Sequence, residues 1–294
     1  MARRSLDFWL TSEDLPAPEN RVTLIALKES IVSIAAILGS SFETAELLGA
    51  SLEEQEVETR WGSVRVYKVP DAQAFVVFRH GVPHRHLPHQ VNTRAHIAAL
   101  ARLGVEALLV TSSVGVLDAA VPLFVPLILG DLLMPDNRLP SGEVCTFFSE
   151  STAGQGHLVF DEGPFNHALS STMRRLARRA GTPIAEAEVV FGYVPGPRTK
   201  TRAENAYWAR MGAQVNSMSL GPEVILANEV ELPVVGLVVG HKYSLPEPSL
   251  QRTDQDTLGA SLRSARQALE ELVWRWLHAP TEAVFGNHLY RFGS

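Results

Sequence analysis

The stretch Val32–Leu38 is apolar but for Ser33 and stops at Gly39-Ser40-Ser41, which predicts a buried strand running into a turn. Ser63–Val69 alternates and Ala74–Phe78 is continuously apolar, predicting two strands of a hairpin around Pro70-Asp71. Within Asn92–Leu103, Ile97, Leu100 and Leu103 fall at helical spacing and Gly104 supplies a cap. A strand over Glu106–Val110 follows. The same grammar recurs downstream. A helix over Ala168–Ala180 stops at Gly181 and precedes a strand over Ala187–Val194. A helix over Arg202–Met211 stops at Gly212. A helix over Pro222–Val230 precedes a strand over Val234–Val239, and Asp256–His278 predicts a long terminal amphipathic helix. Helices alternating with apolar strands predict one α/β domain. Asn137–Pro164 breaks the pattern: rich in Ser, Gly and Pro, it reads as a long functional or interfacial loop carrying Phe147, Phe148 and Phe160.

Composition narrows the function. The 294 residues are 46% hydrophobic and 20% charged, with a net charge of −6. That balance excludes a disordered chain and a polybasic nucleic-acid binder. The single Cys145 excludes a disulfide scaffold and fits a reducing compartment. The basic start at Arg3-Arg4 is followed by no apolar targeting core. The apolar stretch Ala107–Met134 is interrupted by Asp118, Pro122, Pro126 and Asp131, unlike a spanning helix. A cytoplasmic protein without membrane or nucleic-acid partners is expected. Arg174, Arg175, Arg178 and Arg179 read as a solvated helix end.

Four turn-like segments follow apolar strands: Gly39-Ser40-Ser41, the run Arg79–His89, Thr111-Ser112-Ser113-Val114-Gly115, and Asn216-Ser217-Met218-Ser219. In open α/β sheets, ligands bind at the carboxyl ends of strands. Hydroxyls and backbone N–H groups in such turns suit an oxyanion, as does Arg beside His. The four His of Arg79–His89 leave a zinc site open as a minor alternative, which no Cys or nearby carboxylate supports.

Taken together, several segments resemble the trimeric purine nucleoside phosphorylases and methylthioadenosine phosphorylases. They are Ile37-Leu38-Gly39-Ser40-Ser41, Arg79-His80-Gly81, Thr111-Ser112-Ser113-Val114-Gly115, Gly130-Asp131, Gly196-Pro197-Arg198 with Arg202-Ala203-Glu204, and Met218-Ser219 with Pro222-Glu223. The likeness spans about Ile34–Ser244, in the family's order. It implies a domain over 32–294 with a central twisted mixed β-sheet flanked by helices, preceded by an N-terminal extension over 1–31. It implies phosphorolysis: phosphate attacks C1′ of a nucleoside and releases a pentose 1-phosphate and the free base. Inorganic phosphate is then a co-substrate, with no metal or cofactor. A homotrimer, or a hexamer, is implied too, with Phe147 and Phe148 reaching a neighbour's site.

Carried over by position, Ser40, Arg79, His80, Ser112, Ser113 and Ser219 match phosphate-holding places. Met218, with Ser217 beside it, matches the sugar side, and His84 matches a His near the sugar. The base side departs from the family. Thr199 stands where an aromatic ring packs on the base, and Lys200 where 6-oxopurine enzymes carry Glu. In Val239–Ser244, matched to the family's loop after the late strand, Lys242 stands where Asn or Asp faces the base, and Ser244 replaces a second Asp. A one-residue slip puts His241 in the place of Lys242. Lysine donates but does not accept, so such a pocket disfavours a 6-amino group. A desolvated Lys242 can deliver its proton to a leaving base, giving it and His80 catalytic roles. The plain alternative leaves Lys200 and Lys242 in solvent. Two other readings stay open: a catalytically weak nucleoside- or phosphate-binding relative, and a hydrolytic nucleosidase.

Overall fold

The structure, a computed structural model, describes residues 33–151, 155–244, 255–279 and 281–291. The expected extension over 1–31 lies outside these residues. A nine-stranded mixed sheet forms the middle layer. Its strands are β1 (Ser33–Leu38), β4 (Glu53–Val57), β5 (Val64–Lys68), β6 (Ala74–Phe78), β7 (Val105–Val116), β8 (Pro126–Leu133), β10 (Val189–Tyr193), β11 (Val215–Ser217) and β12 (Val234–Tyr243). The order is β11-β10-β8-β12-β7-β1-β6-β5-β4, and β11 also pairs with β7. That extra pairing closes five strands on themselves, so the sheet curls into a small barrel at one side. The short pair β2 (Glu46–Leu47) and β3 (Ala50–Ser51) stands apart.

β1 shows why the apolar runs are continuous. Ala35 and Ile37 enter one core, and Ile34, Ala36 and Leu38 enter the other. A strand covered on both faces needs apolar residues at every position. Helices α1 (Thr93–Arg102) and α4 (Gly221–Glu229) cover the first face. Helices α2 (His167–Ala180) and α5 (Gln255–Leu277) cover the second. α3 (Arg202–Arg210) starts at a Thr201 cap and packs Trp208 on a smaller cluster. The side chains of Arg175, Arg178 and Arg179 are exposed on α2, which ends at Gly181 with φ 66°. Among the described residues, no helix is long and apolar enough to cross a membrane.

Three expectations need correction. β7 does not stop at Val110; it continues through Thr111-Ser112-Ser113-Val114-Gly115 to Val116. Those residues sit in a strand because neighbours pair with them: β12 runs parallel to Thr111–Val116, and β11 pairs antiparallel with Gly115 and Val116. The segment Val239–Tyr243 is likewise strand and not loop, since β12 runs to Tyr243. The long segment 137–164 contains β9 (Gly156–Val159), paired with β13 (His288–Arg291). The sequence pattern also misses the edge strand β4, whose acidic side chains Glu53, Glu54 and Glu56 hide its pairing with β5.

α5 is tied to the sheet by Trp276, which is fully buried and donates its indole N–H to the Ala35 carbonyl at 3.1 Å. Trp276→Ala removes a large ring and leaves that carbonyl unpaired, so a loss of about 3–5 kcal/mol in unfolding free energy is expected. Urea denaturation checks it; a loss under about 1 kcal/mol contradicts this packing role.

Candidate active site

One cavity of about 420 Å³ opens where β1, β6, β7, β11 and β12 present their ends. Ser40 follows β1, His80 follows β6, and Ser112 and Ser113 lie inside β7. Ser217 ends β11, Ser219 lies just beyond it, and His241 and Lys242 lie near the end of β12. All of these line the cavity, with His84, Thr199, Lys200, Met218 and Ser244. Sequence spacing therefore brought together every expected site residue except Arg79.

The hydroxyls form a cluster. Ser112 Oγ lies 3.0 Å from Ser219 Oγ and 3.2 Å from Ser217 Oγ. Ser113 Oγ is buried and has no partner among the described residues. His80 stands beside them with its ring state fixed from behind: Nδ1 donates to the His86 carbonyl at 2.9 Å, which leaves Nε2 as an acceptor. Burial, and next the charge of Arg79, lower its pKa to about 4, so the ring is neutral near pH 7. His84 is exposed and stacks on His80 with ring centroids 4.6 Å apart. Among the described residues no group of three or more His, Cys, Asp or Glu is placed to hold a metal.

Arg79 lies behind this cradle and not in its wall. Its Nε and Nη2 grip both oxygens of Glu223 at 2.7 and 2.6 Å, and Nη1 donates to the Thr111 carbonyl at 2.8 Å. Both side chains are almost wholly buried, at 1% and 0% exposure. Glu223 sits in the first turn of α4, where the helix dipole also favours a negative charge. The β1 turn comes close to the guanidinium: a Cβ on Gly39 would stand 3.2 Å from Nη1. Gly39 in turn donates its N–H to Thr111 Oγ1 at 3.2 Å.

The other end of the cavity is basic. Lys242 pairs in register with Gly115, three residues along β7 from Ser112, which is about 10 Å at the rise of a strand. The register shifts between Gly240 and Lys242, leaving His241 as the extra residue of a bulge. Strand neighbours normally point to opposite faces; a bulge re-aims one of them. Both His241 and Lys242 consequently line the cavity, so the one-residue ambiguity in the sequence has a structural origin. Burial is the first cause and Lys242 the second in lowering the Lys200 pKa to about 8. His241 is lowered to about 4 by burial, then by Lys242 and Lys200. Ser244 Oγ approaches to where a Cβ on Gly115 would be 2.5 Å away, which makes a side chain at 115 incompatible with this wall.

Sequence reasoning missed Asn205 and gave Asn216 no role of its own; both line the cavity, and Asn216 Nδ2 donates to Asn205 Oδ1 at 3.3 Å. Asn205 lies inside α3, where nothing local marks it. Phe147 also departs from expectation. It is 3% exposed, packs on Trp61 with centroids 4.7 Å apart, and its N–H is held by Glu229. It belongs to this chain's own core and is not free to reach a neighbour. Phe148 lines a separate, larger cleft of about 740 Å³ that includes none of the expected site residues.

Comparison with known proteins agrees with this geometry. The family model described as "Phosphorylase superfamily" matches residues 33–276. S-methyl-5′-thioadenosine phosphorylase 1 of Puccinia graminis f. sp. tritici is 32% identical over 68% of this chain and 68% of its own length. A probable S-methyl-5′-thioinosine phosphorylase of Methanopyrus kandleri is 30% identical over 67% of this chain and 75% of its own. A crystal structure of an adenosine/methylthioadenosine phosphorylase from Schistosoma mansoni in complex with adenine shares the fold, with a TM-score of 0.72 at 24% identity, covering 84% of this chain and 91% of that one. The chain belongs to the phosphorylase superfamily.

Proposed function

We propose that this protein is a nucleoside phosphorylase, a pentosyltransferase that cleaves the N-glycosidic bond of a nucleoside with inorganic phosphate. The observation that carries the reading is the single cavity with a hydroxyl cluster at one end and hydrogen-bonding side chains about 10 Å along β7 at the other. That spacing suits a phosphate and a base on either side of a sugar. Relatives named as methylthioadenosine and methylthioinosine phosphorylases support it.

Phosphate is already anionic, so its attack on C1′ needs positioning more than deprotonation. Ser40, Ser112, Ser113 and Ser219 hold it by hydroxyl and backbone donors. His80, neutral with Nε2 as acceptor, takes a hydrogen bond from a protonated phosphate oxygen and orients it. Arg79, its charge compensated by Glu223, anchors the cradle from behind. Met218, Ser217 and His84 face the sugar. As the bond to the base breaks, its electron pair passes to the base, and Lys242 donates a proton there. Thr199, Lys200, His241 and Ser244 bound the base. No cofactor is assigned. The partners are small molecules, the assembly a homotrimer and the location the cytoplasm.

Three outcomes test this reading. Assayed with a panel of nucleosides, base release requires phosphate and yields pentose 1-phosphate; release without phosphate points to the hydrolytic alternative, and none at all to a binding relative. Ser219→Ala removes one donor to an anion, worth about 1.5–3 kcal/mol, so the KM for phosphate rises about tenfold or more while the KM for nucleoside changes little. An unchanged phosphate KM contradicts the cradle. The neutral state of His80 shows in stability. Its pKa is about 4 when folded against 6.5 in a free chain, so below pH 6.5 the unfolded state binds the proton first. Stability therefore falls as pH drops from 6.5 to 4, with His80 contributing up to about 1.4 kcal/mol per pH unit. Unfolding curves of His80→Gln should lose that part of the slope; an identical slope contradicts a buried neutral ring.

A further inference from the structure

The base end of the cavity holds two primary amines, and among the described residues none that lines the cavity carries a carboxylate. Lys200 enters from the segment before α3, and Lys242 from β12. They are close enough that the charge of Lys242 weakens proton binding at Lys200. Glu204 is the nearby carboxylate, and it is already taken: Arg198 holds it at 2.7 and 2.9 Å, and the Thr201 N–H at 2.7 Å. Among the effects on Lys200, attraction by Glu204 ranks last. Among the described residues, the uncharged His241 has a buried Nδ1 with no partner, and Asn216 Oδ1 is buried and unpaired, an acceptor left for a ring N–H. Two like charges in a partly desolvated wall, with no counter-charge among the described residues that line it, favour an anion in the space between them.

Lysine only donates hydrogen bonds. A 6-amino group facing these amines would meet donor against donor. Carbonyl oxygens would be satisfied, and a ring that sheds its N–H proton near neutral pH would supply the missing negative charge. Purines carrying oxo groups at both positions 2 and 6 have that chemistry. Building on the phosphorolysis reading, we propose that the base subsite selects an oxo-rich purine in its anionic form, a 2,6-dioxopurine, with Lys200 and Lys242 as the residues that determine that choice.

Free bases test the selectivity without turnover. Calorimetry of the full chain with phosphate present, at pH 7.5, compares xanthine, hypoxanthine and adenine. Xanthine should bind at least tenfold tighter than either other base. Lys200→Glu should lose tenfold or more in xanthine affinity, Lys200→Met and Lys242→Met should narrow the preference, and Lys200→Arg should retain it. Thermal melts establish that each variant is folded. Adenine binding as tightly as xanthine, xanthine affinity within twofold of wild type in both Met variants, or no binding of any base each overturns the proposal. Turnover of xanthosine, inosine and adenosine keeps the two readings apart. Sugar 1-phosphate released fastest from adenosine sustains phosphorolysis and overturns the base assignment. Xanthine selectivity without release from any nucleoside sustains the base assignment and counts against phosphorolysis.

Discussion

The ion pair between Arg79 and Glu223 is the constraint on which the site depends. It is bidentate, at 2.7 and 2.6 Å, and lies beyond the reach of water. Burying two charges is costly, and only good geometry with further hydrogen bonds offsets the cost. Here the remaining donor goes to the Thr111 carbonyl. The pair thus joins three pieces of chain distant in sequence: the end of β6, the middle of β7 and the first turn of α4. Ser219 lies four residues before Glu223, and Ser112 follows Thr111. Fixing Arg79 therefore fixes the relative position of the two hydroxyls that meet at 3.0 Å.

The arrangement divides labour along the cavity. At the phosphate end the wall is made of neutral groups, hydroxyls and an uncharged imidazole, with a compensated guanidinium behind them. Such a wall orients an anion without a free charge in direct competition for it. At the base end the wall carries two amines that face no carboxylate among the described lining residues. Electrostatic attraction is stronger there because Lys200 is partly desolvated, as its lowered pKa of about 8 records. The bulge at His241 is the backbone device that turns two consecutive residues of β12 toward one ligand.

Much of this was legible in the sequence, for physical reasons that differ by region. β1, β6 and the core of β12 announce themselves because strands covered on both faces must be apolar throughout. β4 stays hidden because an edge strand can be acidic, and β9 and β13 because each is four residues long with its partner about 130 positions away. The end of β7 was misread as a turn because Ser, Thr and Gly normally mark turns, and the end of β12 as a loop because its apolar run stops at Val239; both are strand residues beside a cavity. Site residues were found through motif likeness, which preserves order along the chain. It does not reveal that Arg79 turns away from the cavity toward Glu223, nor that Asn205 and Asn216 complete the wall, since both depend on side-chain partners contributed by other elements. Phe147 looked interfacial because its loop is polar, yet Trp61 and Glu229 draw it into the core.

The central claim is that phosphate, and not water, attacks the sugar. Turnover of a nucleoside substrate in water enriched in oxygen-18, with unlabelled phosphate, addresses it directly. The mass spectrum of the sugar product should show a pentose 1-phosphate free of solvent label, because the new C1′–O bond takes its oxygen from phosphate. A free pentose carrying solvent oxygen-18 formed during turnover would contradict the account.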